Sequence, residues 1–296
     1  MGWIRKSLFA LGLICLGGGL AGSIIVYSAA DGFRGKTEQI DVEKKVSAQD
    51  VERIAIHSDY PNIKFVRSSD SDIHLRLTGP MSDRPGNNAD IQLNAANGTL
   101  TAEVELQKRN KWIQFNLFEL LNLMDGSLTK LQVEVALPDK NFKLVELDTD
   151  VGHIDAGSVV RAERLRLETS VGNISLDAFQ GSKLELSSEV GRIEAKRLEP
   201  SDSVQVETEF GSVDLSFDNL AESMELSTEA GSLNVKVPRS APIRLDLKNE
   251  LGGISADLPD LQTRTKTNNT LDGSVGSGGP LLKARSEFGS IKVEAK

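Results

Sequence analysis

Cysteine, aromatic residues and histidine are all scarce in this 296-residue chain: one Cys, 5% Phe, Trp and Tyr together, and three His. One thiol cannot close an internal disulfide, so no covalent staple shapes the fold. Few aromatics beside 26 glycines disfavour a bulky single core and favour small stacked layers of β-structure. Cationic residues are in deficit too, 34 Lys and Arg against 43 Asp and Glu, for a net charge of −9. That balance argues against binding to nucleic acid, which needs a basic footprint. The 39% hydrophobic content is too high for a disordered tail, and one or two folded domains remain.

The first thirty residues contain Arg5 and Lys6 and no acid, and an apolar run occupies residues 7–28. A helix needs about 20 residues to cross a bilayer, whereas the apolar core of a cleaved signal peptide spans only about 7 to 15. Cations before the run and an acidic body after it place residues 1–6 in the cytoplasm and the body outside. Ser28-Ala29-Ala30 offers small residues that a signal peptidase accepts, so a cleaved, secreted form is the alternative. Cys15 follows Ile14, where a lipidation box wants a small residue, and reads as a small hydrophobe within the span.

Residues 29–50 are polar and charged and read as a linker or stalk. Alternating apolar residues then predict strands at Val51, Ile54 and Ile56, at Ile63, Phe65 and Val66, and at Ile73, Leu75 and Leu77. Pro80 to Asn88 reads as a loop. Ile91 and Leu93, then Leu100, Ala102, Val104 and Leu106, resume the alternation around Asn97-Gly98, a strong hairpin signal. Residues 51–140 are thus expected to form an antiparallel or mixed N-terminal β region.

Residues 141–296 carry an internal repeat. LDTDVGHIDA from Leu147, LETSVGNISL from Leu167, LSSEVGRIEA from Leu186, VETEFGSVDL from Val206, LSTEAGSLNV from Leu226 and LKNELGGISA from Leu247 share one pattern, with glycines at 152, 172, 191, 211, 231 and 252, spaced by 19 to 21 residues. A degenerate copy surrounds Gly273 and a last one, SEFGSIKV, surrounds Gly289. Leu165, Leu167, Thr169 and Val171 share one parity, and Ile174 and Leu176 continue on the other. A phase slip of this kind implies a corner at the glycine, with Val171, Phe210 and Ala230 expected to face inward beside the other residues of their parity. Repetition at this period predicts an all-β fold, a parallel β-solenoid of about eight coils whose equivalent residues stack at about 4.8 Å. Antiparallel hairpins turning at each glycine are the rival architecture.

The same register makes two polar columns. Thr149, Thr169, Ser188, Thr208, Thr228, Asn249 and Ser286 face inward, where they can hydrogen-bond up and down the corner. Asp150, Glu189, Glu209, Glu229, Glu250 and Glu287 face outward. That ladder, interrupted by Ser170, reads as a solvated acidic edge, with calcium binding as the sharper alternative.

No constellation of catalytic chemistry is present. His57, His74 and His153 lie in different strand segments without ligand spacing and read as ordinary strand residues. Gly273 to Gly279 lacks the helix and lysine of a phosphate loop and reads as a flexible edge of the penultimate coil. No catalytic, cofactor-binding or metal-ligating residue is assigned, and no cofactor is expected. The apolar run Trp112 to Met124 reads as a cap on the open end of the solenoid, with docking onto a partner or bilayer as the alternative.

The S/T-E-x-G-x-I-x-L units, the Leu137-Pro138-Asp139-Lys140 step before them and the closing SEFGSIKV resemble the bacterial "putative adhesin" domain of unknown function with β-strand repeats. With one N-terminal span, the layout is similar to that of the membrane-anchored LiaG-type proteins of Gram-positive bacteria. The resemblance covers residues 50 to 296. It implies an extracytoplasmic β-repeat protein of cell-envelope stress systems, without catalytic residues to carry over. The expectation is a non-enzymatic module contacting an envelope protein or cell-wall polymer. A carbohydrate-active β-helix, with Lys183, Arg192 and Lys196 as its nearest cations, is the alternative, and a mechanical stalk or adhesin between cells is a third reading.

Overall fold

The computed structural model of the chain describes residues 37–82, 87–108 and 130–296; the run at 7–28 and the segment 112–124 lie outside the described residues. Within them are seventeen strands and no α-helix. The first coil is made by β2 (Arg53–Ser58) and β3 (Asn62–Arg67), joined by a corner at Asp59-Tyr60-Pro61. The next begins with β8 (Phe142–Val151), turns at Gly152 and continues into β9 (Ile154–Val171). β10 (Ile174–Val190) and β11 (Ile193–Phe210) follow, then β12 (Val213–Phe217) with β13 (Ser223–Val237). All of these pair in parallel with their neighbours above and below. The repeat strands therefore stack, and the antiparallel rival does not occur among them.

Each coil has two arms meeting at the glycine, and both present alternate side chains to one shared core. On the arm before the glycine, Ile56, Leu147, Leu167, Leu186, Val206 and Leu226 form a buried column. On the arm after it, Ile63, Ile154, Ile174, Ile193, Val213 and Leu233 form another. Aliphatic side chains repeated in register fill the gap between arms without aromatic bulk. Burying each is worth about 1.5–3 kcal/mol. At the opposite turn the column Val160, Phe179, Leu198 and Phe217 closes the core.

The stack does not follow chain order at its end. β14 (Ile243–Asp257) and β17 (Leu281–Ala295) are both full two-armed coils, and β17 pairs in parallel with β13 on one side and with β14 on the other. The last copy in sequence is thus the penultimate coil in space. The copy around Gly273 is not a coil. β15 (Gln262–Lys266) and β16 (Thr270–Val275) form an antiparallel hairpin that lies against the first arm of β14 through Leu247 and Leu271. Gly276, Gly278 and Gly279, at φ of 70°, 80° and 95°, then turn the chain back into the gap. This glycine-rich stretch is a return turn, where the sequence suggests a flexible coil edge.

At the other end, β6 (Thr99–Lys108) and β7 (Gln132–Leu137) continue the two arms in parallel with β2 and β3. β5 (Asn87–Ala96) pairs antiparallel with β6 through the two-residue turn Asn97-Gly98, both at positive φ as the Asn-Gly signal requires. β4 (Asp72–Ser82) lies antiparallel to β7, extending further into the loop expected at Pro80. The stretch expected as a stalk contains a strand, β1 (Thr37–Ser47), antiparallel to β4. Only Ile40, Val42 and Val46 on it pack against the core, while its charges pair across the edge, Asp41 with Arg76 and Lys45 with Asp70 and Asp72. The Pro138-Asp139-Lys140 step ties these parts together: Asp139 accepts from Arg67 and Arg161, and Lys140 donates to the carbonyls of Ala48 and Val51 at 2.7 and 2.8 Å.

The glycines are dictated by the stacking. A methyl on Gly172 would sit 1.8 Å from the carbonyl oxygen of Gly152; on Gly191, 1.8 Å from that of Gly172; on Gly211, 1.7 Å from that of Gly191. The contacts continue from Gly231 to Gly211, from Gly289 to Gly231 and from Gly252 to Gly289, tracing the same spatial order as the strands. Gly191 is held by this contact without the positive φ expected of every corner glycine. Gly211→Ala is therefore expected to destabilise the chain by about 4 kcal/mol in a denaturant titration. Gly253→Ala, with nothing within 4 Å of the added methyl, leaves the midpoint where it was.

The β1–β4 edge depends on pH. The hydrogen bond to Asp70 at 2.9 Å, which outweighs desolvation of the ring, and that to Glu43 at 3.2 Å raise the pKa of His74. The His74 contact, the Asp72 backbone N–H and Lys45 hold Asp70 well below the usual carboxylate range, and Asp72 and Asp70 push Lys45 up to about 12. The His74 contribution is complete below the unfolded imidazole pKa and is lost as pH rises through the raised value. The Asp70 contribution is complete above the unfolded carboxylate pKa and is lost as pH falls toward the depressed one. Both act together between about pH 4 and 6.5. Hydrogen-exchange protection of the paired Val46 and Ile73 segment should be greater at pH 5.5 than at pH 8.5 after correction for intrinsic rates.

Candidate functional site

The corner edge is where side chains leave the core pattern. The parallel ladder pairs Thr169 with Ser188 and Val171 with Val190 but passes over the residue between them, and does the same in the neighbouring coils. The phase slip falls at this acidic position, before the glycine. Two consecutive side chains therefore face solvent in each coil. Val171, Val190, Phe210, Leu251 and Phe288 are exposed, Phe210 by 53%, Phe288 by 54% and Leu251 by 62%. Inward parity carried to the glycine places Val171 and Phe210 in the core; the earlier slip turns them out, and Ala230 is half-buried.

In spatial order Val151, Val171, Val190, Phe210, Ala230, Phe288 and Leu251 form an apolar ladder. Beside it run Asp150, Ser170, Glu189, Glu209, Glu229, Glu287 and Glu250. All but the half-buried Ser170 are exposed, and Ser170 donates to Glu189 at 3.3 Å.

Behind these ladders lies the hydroxyl column. Thr149, Thr169, Ser188, Thr208, Thr228, Asn249 and Ser286 are buried as expected, and Ser58 extends the column into the first coil. The expected bonding between neighbouring side chains takes another form. Thr169 Oγ1 donates to the Gly152 carbonyl and Ser188 Oγ to the Gly172 carbonyl, each at 3.0 Å, and Asn249 Nδ2 donates to that of Gly289 at 2.7 Å. A second polar ladder secures the residue after the glycine: Asn62 Oδ1 accepts from the His153 N–H, His153 Nδ1 from Asn173 and Asn173 Oδ1 from Arg192, at 2.8, 2.9 and 2.9 Å. His153 is accounted for by this bond.

At the C-terminal end of the edge is a cleft of about 530 Å³, bordered by Glu207, Glu209, Glu229, Glu250 and Glu287. Lys248 and Arg285 are its cations, Arg285 already bonded to Asp246 at 2.5 Å, and Asn269 on the β15–β16 turn clamps the Asn249 and Glu250 carbonyls. A smaller cavity of about 260 Å³ lies at Phe65, Phe142 and Val159.

At the N-terminal end the parallel pairing of β2 with β8 sets His57 beside Asp148, Nδ1 to Oδ2 2.8 Å, and its Nε2 lies 3.7 Å from Asp59 Oδ1. Partial burial opposes charging of the ring, but the Asp148 bond and the charges of Asp148, Asp150 and Asp59 outweigh it and raise the pKa. These residues, 91 apart in sequence, carry no spacing signal. Lys183 stands on the arm before the glycine and Lys196 on the arm after it, with Arg192 at the corner. They do not converge, and each meets a carboxylate: Asp202, Glu194 and Asp214 respectively.

A stacked two-armed β-coil with an exposed corner ladder defines the class. The chain belongs to the Toastrack domain family of unknown function, DUF4097, whose profile matches residues 51–294. No curated protein matches it. Similar solved structures include a "putative adhesin" from Bacteroides fragilis, 15% identical over 86% of this chain and 97% of that one, TM-score 0.49. A "putative lipid binding protein" from Parabacteroides distasonis is 16% identical over 88% and 98%, TM-score 0.45. A "putative cell adhesion protein" from Clostridium sporogenes is 11% identical over 88% and 100%, TM-score 0.39. Among the described residues there is no helix long and apolar enough to cross a membrane.

The hydroxyl column distinguishes bonded from unbonded positions. Thr169→Val removes a hydrogen bond and is expected to cost about 1 kcal/mol. Thr208, whose buried Oγ1 has no hydrogen-bond partner among the described residues, tolerates the same isosteric change within about 0.5 kcal/mol. Chemical denaturation of the two variants reads the difference.

Proposed function

We propose that this chain is a non-enzymatic, adhesin-like interaction module of the cell envelope, anchored by residues 7–28 with its β-coils outside the cell. One observation carries the reading: Val171, Val190, Phe210, Phe288 and Leu251 stand exposed in one file along the corner edge, with the half-buried Ala230 between the two phenylalanines, flanked by carboxylates. A contiguous exposed apolar patch with a polar rim marks an interaction surface. The stacked coils hold it rigid, so little ordering entropy is lost on docking. The apolar run after Arg5 and Lys6 supports the anchor and its orientation. The partner is an envelope protein or a cell-wall polymer with an apolar face.

Replacing Phe210, Leu251 and Phe288 by serine tests the surface without touching the core. With circular dichroism unchanged, the triple variant should lose the partner that a membrane-impermeant crosslinker captures on intact cells. Undiminished capture would overturn the docking surface, and failure of the crosslinker to reach the wild-type body would overturn its external placement.

A further inference from the structure

The N-terminal end of the corner edge differs chemically from the rest. Elsewhere the ladder presents carboxylates and Ser170, but here an imidazole stands beside the carboxylates. His57, Asp59 and Asp150 each offer a ligand atom, and these atoms all lie within 4.8 Å of one another. They come from the corner of the first coil and the matching corner of the next, brought into register by the pairing of Ser58 with Thr149. In tetrahedral coordination two atoms bound to one zinc ion at about 2.1 Å lie about 3.4 Å apart. Exposed or half-buried side chains thus need to close by about 1.4 Å at most, and the His57–Asp59 pair, at 3.7 Å, is already close to that separation.

Two further features fit a metal. The Nδ1 of His57 is hydrogen-bonded to Asp148 at 2.8 Å, which leaves Nε2 free to ligate on the side of Asp59. An outer carboxylate on the far nitrogen of a ligating histidine is the usual device that fixes the ring and raises its basicity. Charge is the second. Nearby carboxylates have cationic partners: Glu52 pairs with Lys143, Asp139 with Arg67 and Arg161, and Glu146 and Glu168 with Arg166. Among the described residues no lysine or arginine is ion-paired with Asp148 or Asp150, and the residue facing His57 from β6 is a further acid, Glu103.

We propose that His57, Asp59 and Asp150 bind a divalent transition-metal ion, with Asp148 as the positioning carboxylate. One nitrogen and two oxygen donors suit zinc and its neighbours; calcium takes oxygen donors only. The ion ties the first coil to the repeats, and the exposure of the site leaves coordination positions open to water or to a donor from a bound molecule.

Zinc titration of the metal-free full-length chain by calorimetry, followed by the nitrogen shifts of the His57 ring, tests the assignment. The expected result is one site, a shift on His57 Nε2 and a higher melting temperature with zinc. His57→Ala and Asp150→Asn should each weaken zinc binding at least tenfold, and Asp148→Asn by about 10- to 100-fold. Glu209→Gln, on the same ladder but far from the site, should leave it unchanged. Calcium at equal concentration should not move the His57 signal. Zinc binding that leaves His57 unshifted, or that survives His57→Ala or Asp150→Asn, overturns the proposal, as does the absence of binding by the wild-type chain. All variants change exposed or half-buried side chains, and unaltered circular dichroism in each separates loss of the site from loss of the fold.

Discussion

From Gly172 onward each corner glycine rests with its α-carbon against the carbonyl oxygen of the glycine in the coil beside it, as Gly152 does against that of Pro61, and the architecture is organised around that contact. It brings the backbones of successive coils to ladder distance at the one place where the chain must change direction, and there is no room for a β-carbon. Once coils are locked at this spacing, the arms on either side fall into parallel register, and leucines and isoleucines equivalent in sequence become neighbours in one core. The hydroxyls behind the corner reinforce the contact, since Thr169 and Ser188 donate to the same glycine carbonyls against which the next glycine is pressed.

The corner also writes the surface. To turn within a few residues the chain drops one rung of its ladder, and two successive side chains are then left outside. Because the repeat places an acid at the first and an apolar residue at the second, stacking turns a local irregularity into two continuous files. The surface is thus a by-product of the same geometry that builds the core, and its chemistry is set by positions that contribute little to packing. Val171, Val190, Phe210, Phe288 and Leu251 carry a cost in exposed apolar area that folding alone does not require.

The parts legible in the sequence are those governed by local period. Alternation at Ile73, Leu75 and Leu77, the Asn97-Gly98 turn and the glycine spacing place strands and corners without reference to distant residues. What the period hides is which copy neighbours which. SEFGSIKV and KNELGGISA present nearly the same pattern, so nothing local separates the last coil in space from the last in sequence. β1 carries little signal because its charged residues outnumber the three half-buried apolar residues, Ile40, Val42 and Val46. The exposed ladder was hidden by a slip lying one or two residues earlier than the glycine that advertises it. His57 and Asp148 meet only through the pairing of β2 with β8, a relation that spacing along the chain cannot express.

The placement of β17 between β13 and β14 separates the order of synthesis from the order of assembly. Coils up to β13 can settle one upon another as they leave the ribosome, but β14 emerges before the strand that becomes its neighbour. Until β17 follows, the hairpin β15–β16, whose second strand pairs with the other side of β14, gives it a provisional shelter. β17 then acts as a keystone: the stack is closed from within and not at its edge.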